Sequence, residues 1–270
     1  TGNKVYDYGS IGYGGIMDRS YQPGANPAGQ LVYDKTEYLT DNVSLNNYVQ
    51  ITPLKGLTIT GRMGATILNQ RANFLLNPFY GQFAEINGAA EQAHERFRST
   101  DYQLLGEYRT TFNDVHHMGL LLGYDGYNMT TDDIGGSAQG LYDPTSYWLY
   151  NAIDQKDVFG YHNEYSTQGY FFRGNYDYAD KYFGSFSIRR DGSSRFHKDN
   201  RWGTFWSASA AWMMTKEDFM KPLTWLDELK IRGSFGQQGN DNLGSSYLYA
   251  YADRYRMTGF NGVFSDGTLQ

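Results

Sequence analysis

The sequence lacks several features that would restrict its class. It contains no cysteine, which excludes disulfide bonds, thiolate metal sites and a cysteine nucleophile. Proline is scarce, at 6 of 270 residues. The longest apolar stretch, around Met118–Tyr124, is far shorter than the roughly 20 residues that a membrane-spanning helix needs. A transmembrane helix is therefore not expected.

The sequence also shows no strongly basic surface and no N-terminal secretion segment. The formal net charge is −6, without long runs of one sign, and no basic face typical of a nucleic-acid binder is evident. We therefore expect no nucleic-acid partner. The first residue is Thr, and no positive-then-apolar secretion segment precedes the rest. Either processing has removed such a segment, or the chain is a piece of a longer one.

Aromatic residues (17%) and glycine (32 residues) are abundant. Together with threonine, they favour strands, turns and bulges over helices. Eight strands are predicted: Asn42–Thr52, Leu57–Leu68, Thr100–Phe112, His116–Asn128, Tyr161–Tyr178, Lys181–Arg190, Gly203–Met213 and Leu229–Gln237. A ninth strand is predicted near Lys4–Tyr13, where the glycine content suits a loop equally well.

The predicted strands alternate between apolar and polar residues with a period of two. In the sixth strand the apolar set is Tyr182, Gly184, Phe186 and Ile188, and the polar set is Ser185, Ser187 and Arg189. A period of two places alternate side chains on opposite faces of a sheet. The seventh strand predicts Ala208 and Ala210 on a lipid-facing side and Ser207 and Ser209 on a wet one.

The predicted connections differ in length. Short turns are expected at Pro53–Gly56, Asn113–Val115 and Ala179–Asp180. Between these hairpins lie Asn69–Ser99 and Met129–Gly160, each about thirty residues long. Loops of that length are uncommon in compact soluble domains, whereas short turns at one end and long loops at the other are typical of outer-membrane barrels.

Two further features concern the strand ends. Aromatic residues near these ends predict a girdle at a lipid–water boundary: Tyr48, Tyr108, Tyr176, Tyr178, Tyr182 and Trp212. The connection Thr215–Glu228 predicts a short periplasmic helix that is capped by Thr215 and ends before Pro222. A soluble sheet with one wet face also alternates, but the loop lengths and the aromatic strand ends favour a membrane barrel.

Three segments carry a resemblance to a known family. They are Arg-Asp-Gly-Ser-Ser-Arg-Phe (Arg190–Phe196), Arg-Trp-Gly-Thr-Phe-Trp-Ser-Ala-Ser-Ala-Ala-Trp (Arg201–Trp212) and Leu-Lys-Ile-Arg-Gly-Ser-Phe-Gly-Gln-Gln-Gly-Asn (Leu229–Asn240). These segments resemble the barrel of SusC-type (SusC/RagA-like) TonB-dependent outer-membrane transporters. The match spans roughly Asn42–Asn242.

The resemblance implies an all-β fold, an antiparallel transmembrane β-barrel of about 22 strands with long extracellular loops. Residues 1–270 are then expected to be a partial segment of about eight or nine strands, without the plug domain or the barrel C-terminus. The implied location is the bacterial outer membrane, and the implied activity is TonB-dependent import of a glycan or a peptide. No covalent catalysis is implied.

The resemblance also implies partners. They are a SusD-like surface lipoprotein that acts as a lid, the TonB complex through the plug region, outer-membrane lipid, and the glycan or peptide substrate. Two alternatives remain open: a porin or adhesin barrel without TonB coupling, and a soluble β-rich glycan-binding module.

Candidate substrate contacts lie in the second long loop, at Tyr142, Tyr147, Trp148 and Tyr150. Aromatic rings in a wet cavity can stack on sugar rings or on peptide side chains. Packing of the same loop against a lid lipoprotein explains these residues equally well.

The motif residues are expected to be structural, because a motif tied to a whole family does not select one cargo. They are Arg190, Asp191, Gly192, Ser193, Ser194, Arg195, Phe196, Gly239 and Asn240. Asp191-Gly192 predicts a turn at a strand end. The flanking arginines, including Arg189, are predicted to pair with Asp191 or with acidic plug residues.

No catalytic residue, metal site or cofactor is predicted. His116 and His117 are adjacent in a strand, so their side chains point to opposite faces and are not expected to share a metal. Asp132, Asp133 and Asp241 are predicted loop residues. A calcium site is compatible with them, but the full ligand loop is missing, which favours a solvated loop.

Overall fold

The computed structural model describes residues 31–79, 83–244, 248–249 and 251–252, together with short strands between residues 255 and 269. The predicted strand near Lys4–Tyr13 lies outside the described residues. No helix in the described part of the chain is both long and apolar enough to cross a membrane.

Eight strands form one sheet in chain order. They are β1 (Lys35–Leu54), β2 (Leu57–Leu76), β3 (Ala89–Phe112), β4 (His116–Leu141), β5 (Ala152–Tyr178), β6 (Tyr182–Ser193), β7 (Trp202–Met213) and β8 (Lys230–Gly236). Four two-residue strands follow, β9 (Tyr255–Arg256), β10 (Gly259–Phe260), β11 (Val263–Phe264) and β12 (Thr268–Leu269). They form two small antiparallel sheets, β10–β11 and β9–β12. The eight strands predicted within the described residues are confirmed.

The two predicted long loops are wrong in their extent. β2 continues to Leu76 and β3 begins at Ala89, while β4 continues to Leu141 and β5 begins at Ala152. The connections are therefore only residues 77–88 and 142–151. The sequences of these strand extensions are mixed and polar, without a clean alternation. Side-chain hydrogen bonds between neighbouring strands hold the extensions in the sheet. Asn73 Nδ2 donates to Glu37 (2.8 Å) and Gln92 Nε2 donates to Asn73 (2.9 Å).

The predicted hairpin turns are confirmed by backbone geometry. Asn113 and Asp114 have φ of 50° and 55°, and Ala179 and Asp180 have φ of 53° and 52°. Two successive positive φ angles characterise the type I′ turn, whose twist matches that of the flanking strands. Gly56, with φ of 83°, closes the β1–β2 hairpin.

The predicted helix in Thr215–Glu228 is wrong. The segment instead has two single 3-10 turns, Met214–Lys216 and Asp218–Met220, and neither has a side-chain cap. Glu217 between them is extended, with φ −84° and ψ 148°. Its carboxylate accepts hydrogen bonds from Tyr182 Oη (2.6 Å) and Trp212 Nε1 (3.1 Å). These tertiary contacts outweigh the local helix pattern.

The chain divides into two compact units. The first unit comprises described residues within 31–44, 66–98 and 130–163, and the second comprises those within 45–65, 99–129 and from 164 onward. The first unit has a buried apolar cluster, against which Tyr147 and Leu149 pack. Its members are Leu75, Ala90, Ala138, Leu141 and Ala152.

In the second unit, strand register separates two faces across β5 to β8. One row across the strands is Gly174, Phe186, Ala208 and Phe235. The next row on the other side of the sheet is Ser185 and Ser209, with hydroxyl oxygens 2.7 Å apart. We call these sides the apolar face and the polar face. The predicted alternation is confirmed, because large rings oppose small residues on one face and hydroxyls pair on the other.

Candidate functional site

Rings on the apolar face of the second unit form two rows. Neighbouring ring centroids lie 4.7 to 6.4 Å apart in the first row and 4.8 to 6.2 Å apart in the second. The first row is Phe112, His116, Tyr178, Tyr182, Trp212 and Phe219. The second row is Tyr102, Tyr124, Tyr170 and Trp202.

The spacing of the rows matches a bilayer. Counting both ends, β5 has 9 residues from Tyr170 to Tyr178, and β3 has 11 from Tyr102 to Phe112. A tilted transmembrane strand needs about 9–11 residues. Tyr178 and Tyr182 were expected in a girdle, whereas the second row was missed. The signal for the second row was present in the sequence. On each of these strands the ring of the second row lies eight or ten residues from the ring of the first row, and an even spacing places both rings on the same face.

The motif residues Arg190–Ser193 lie within β6, so the predicted turn at Asp191-Gly192 is wrong. Asp191 is paired with Gly169 and Gly203 in the neighbouring strands. A Cβ atom at Gly192 would approach the Trp202 ring to 3.1 Å. Glycine at this position therefore lets the indole lie close against the backbone. Pairing with β5 on one side and β7 on the other keeps the segment extended.

Two neighbouring arginines of β6 point to opposite faces. Arg189, on the polar face, donates to Asp125 (2.8 Å) and to Asp191 (2.5 Å), which confirms the predicted pairing with Asp191. Arg190, on the apolar face, lies over the Trp202 ring at 5.6 Å. Arg189 is thus part of an ion-pair network, whereas Arg190 lies beside the second aromatic row.

Asp241 fastens the segment after β8 to β5 and β6. Its Oδ2 accepts hydrogen bonds from Tyr165 Oη (2.6 Å) and Ser193 Oγ (2.7 Å). Arg195 donates to the Asp241 carbonyl oxygen (2.8 Å) and lies over the Tyr165 ring at 4.8 Å. Partial burial raises the pKa of Asp241, but the hydrogen bonds from Tyr165 and Ser193, together with the charge of Arg195, outweigh this effect and lower the pKa. The expected solvated loop is corrected to a hydrogen-bonded anchor.

The two parts of the motif meet at one cavity of about 560 Å³. Its walls include Asp191, Ser193 and Phe196 from the first part and Gly239 and Asn240 from the second. A Cβ at Gly239 would lie 2.1 Å from the Phe205 ring, so close packing requires glycine there. The Ser194 hydroxyl accepts a hydrogen bond from Ser166 N (2.9 Å).

The loop aromatics are divided between two environments. Tyr142 and Tyr150 are 90% and 84% exposed, and Trp148 is 44% exposed. Tyr147 instead packs against the buried cluster, and its ring lies 5.4 Å from that of Trp148. The structure therefore brings Tyr147 and Trp148 together and leaves Tyr142 and Tyr150 available to a ligand or partner.

A side-chain amide holds this loop in place. Asn151 Nδ2 donates to the Asp143 carbonyl (2.8 Å), and Asn151 Oδ1 accepts from Asp143 N (2.8 Å). The Thr145 hydroxyl and backbone N–H both donate to the Asp143 carboxylate and lower its pKa. The exposed rings are therefore carried by a loop with internal hydrogen bonds.

The two adjacent histidines lie on opposite faces, as predicted. The His116 ring stacks on Phe112 at 4.7 Å, and His117 Nδ1 lies 2.9 Å from the Thr111 hydroxyl. His117 also lies near Asp177 and Asp180, a grouping that sequence spacing did not reveal, because the β5–β6 hairpin supplies both carboxylates.

Asp132 and Asp133 lie in β4 rather than in a loop. Asp132 accepts from Arg98 Nη2 (2.7 Å) and lies 2.6 Å from His162 Nδ1. Its carboxylate is therefore used in a cross-strand network, and the expected solvated loop is wrong for both residues.

No family model matches the sequence. The chain is 45% identical over 80 residues to the TonB-dependent receptor SusC of Bacteroides thetaiotaomicron, covering 30% of the chain and 8% of that protein. It is 31% identical over 193 residues to the TonB-dependent receptor P3 of Formosa agariphila, covering 65% of the chain and 18% of that protein.

The fold has solved counterparts. A structure of the RagAB peptide transporter superposes with a TM-score of 0.79 at 23% identity, covering 92% of this chain and 27% of that one. The RagAB peptide importer in its "closed-closed" state gives a TM-score of 0.80 at 22% identity, with 88% and 26% covered.

The fold is that of part of an antiparallel TonB-dependent receptor barrel. Within that class, the chain resembles SusC-type receptors in sequence, and the superposition shows a fold shared with the RagAB structures. It spans between 8% and 24% of the length of the curated relatives that it matches.

Proposed function

We propose that this chain forms part of the wall of a TonB-dependent importer in the bacterial outer membrane. The observation that carries the proposal is the two-faced sheet of the second unit, with an exposed apolar face between two aromatic rows. Apolar groups turned toward lipid and hydroxyls turned toward a lumen satisfy both environments of such a wall. The relatives named as TonB-dependent receptors support the coupling to TonB.

The proposed cargo is an oligosaccharide or a peptide, taken up together with a SusD-like surface lipoprotein. Similarity to SusC and to the RagAB peptide transporter supports this class of cargo. Tyr142, Trp148 and Tyr150 are the proposed contacts to cargo or to the lipoprotein, because their rings are exposed on a loop held by Asn151. Transport involves no covalent step, so binding and translocation are the whole proposed activity.

Labelling of single cysteines in β7 tests the orientation of the wall. The full-length protein is placed in vesicles and exposed to a thiol probe that is confined to the lipid phase. We expect labelling at Ala208→Cys and Ala210→Cys but not at Ser207→Cys and Ser209→Cys. The reverse pattern would contradict the assignment of faces.

Uptake by cells tests the activity. A strain that lacks the full-length gene should fail to accumulate a labelled oligosaccharide or peptide that the parent strain imports, and inactivation of TonB should give the same loss. Unchanged uptake without TonB would favour a passive barrel instead.

A further inference from the structure

Arg190 is a cation on the wrong face for a membrane wall. Across β5 to β7 it lies in register with Tyr170 and Thr204, which belong to the apolar face. Its side chain is exposed. A charged side chain is costly at the middle of the lipid-facing side and well tolerated at its edge. The position of Arg190 along the strand therefore decides whether its charge is tolerated on this face.

That position is at one end of the proposed membrane span. Tyr182, in the first aromatic row, and Arg190 are the two ends of a 9-residue stretch of β6. At about 3.3 Å per residue, the eight steps cover roughly 26 Å along the strand. Nine residues lie within the range of about 9–11 that a tilted transmembrane strand needs. Arg190 thus lies at the level of lipid headgroups, beside the second aromatic row.

The immediate surroundings hold Arg190 in place without neutralising it. Its guanidinium lies 5.6 Å from the centre of the Trp202 ring, which itself stacks with Tyr170 at 6.2 Å. Gly192 gives the Trp202 ring room to lie flat against β6. Within residues 31–79 and 83–244, the ion pairs of the structure use Arg189 but include none with Arg190.

We propose that Arg190, with Trp202 and Tyr170 beside it, binds the phosphate of an anionic membrane lipid. The inference rests on the proposed function, because it needs the apolar face to meet lipid. A guanidinium makes charge-assisted, bidentate hydrogen bonds with phosphate oxygens, and indole and phenol rings favour the headgroup boundary. A lipid is the occupant that the position favours, since the acyl chains would lie along the exposed apolar face below the arginine.

The test uses the full-length protein in detergent, titrated with phosphatidylglycerol or with zwitterionic phosphatidylcholine. Retained lipid is counted by native mass spectrometry. We expect Arg190→Gln to weaken phosphatidylglycerol binding about fivefold, the factor expected from one basic residue near an anionic surface. Arg190→Lys should retain most of the affinity, and phosphatidylcholine binding should not change.

Arg173→Gln is the matched control. It removes the same charge from an exposed residue of β5 on the polar face, paired in register with Ser187. Equal phosphatidylglycerol binding by Arg190→Gln and the unmodified protein would overturn the inference, and so would an equal loss in Arg173→Gln.

A second measurement separates this inference from the proposed function. The protein is reconstituted into vesicles that contain both lipids and is washed with carbonate. Release of the unmodified protein would overturn the membrane wall and, with it, the lipid site. Retention of the protein in the vesicles, together with unchanged phosphatidylglycerol binding by Arg190→Gln, would overturn the lipid site alone.

Discussion

The two units of this chain differ in whether their apolar residues form a buried cluster. The first unit has such a cluster, with Leu75 at 0% and Ala90 at 1% exposure, although other apolar side chains of this unit are exposed, such as Val158 at 90%. In the second unit, apolar residues of β6 to β8 lie on one exposed face, with Phe235 at 69% and Phe186 at 44%, and serines pair on the other face. The difference teaches that the side-chain pattern of a strand determines whether its apolar residues pack together or form an exposed face.

The largest expected effect comes from the buried cluster of the first unit. Leu75→Ala removes a fully buried side chain, and such changes in packed cores cost about 2–5 kcal/mol. We expect a clear fall in the midpoint of thermal unfolding for the first unit of the full-length protein. Phe235→Ala, on the exposed apolar face, is the control and should lower this midpoint little. Equal loss in both variants would contradict the distinction between the units.

A charge placed on the apolar face should have the next largest effect. Ala208 lies midway between the aromatic rows and opposite Phe186. Ala208→Arg should therefore destabilise the protein in a bilayer by about 2–4 kcal/mol, the cost of arginine near the midplane of a lipid-facing wall. Denaturant unfolding in vesicles measures it. Ser207→Arg, one residue away on the polar face, should cost less. A larger cost at Ser207 than at Ala208 would contradict the assignment of the two faces.

A moderate effect is expected when the anchor of the segment after β8 is removed. Asp241→Ala leaves the Tyr165 and Ser193 hydroxyls without their shared acceptor, at an expected cost of about 1–3 kcal/mol. Hydrogen exchange should rise in residues 238–244 and stay unchanged in the first unit. Because the pKa of Asp241 is lowered on folding, its contribution is fully present above the unfolded pKa of about 3.9 and is lost as the pH falls through the lower folded value.

The smallest effect is a dependence of stability on pH at Glu217. Hydrogen bonds from Tyr182, Trp212 and Lys181 lower the pKa of Glu217 to about 2. A lowered carboxyl pKa stabilises the folded state above the unfolded pKa, and this contribution disappears as the pH falls through the folded value. The difference in unfolding midpoint between the unmodified protein and Glu217→Gln should therefore be constant from neutral pH to about pH 5 and should shrink toward about pH 2. A difference that is already absent at pH 5 would contradict the carboxylate network.

Local pattern was enough to predict the strands of the second unit. Their alternation in Tyr182–Ile188 and Trp206–Trp212, and the residues of the short turns, act over neighbouring positions only. The strand extensions of the first unit were missed, because cross-strand pairs such as Asn73 with Glu37 hold them. The turn at Asp191-Gly192 was wrongly predicted for a similar reason, since the position of Trp202 was needed to explain the glycine.

By itself, the sequence determined which residues share a face, because the two-residue period of a strand is a local property of the backbone. It also carried the resemblance to SusC-type receptors in Arg190–Phe196 and Leu229–Asn240. Only the tertiary structure decided that these two segments line one cavity, that Asp241 anchors one to the other, and that Arg190 lies free of carboxylates within the described residues while Arg189 is paired. Such contacts depend on strand register between residues far apart in the chain, which no local pattern contains.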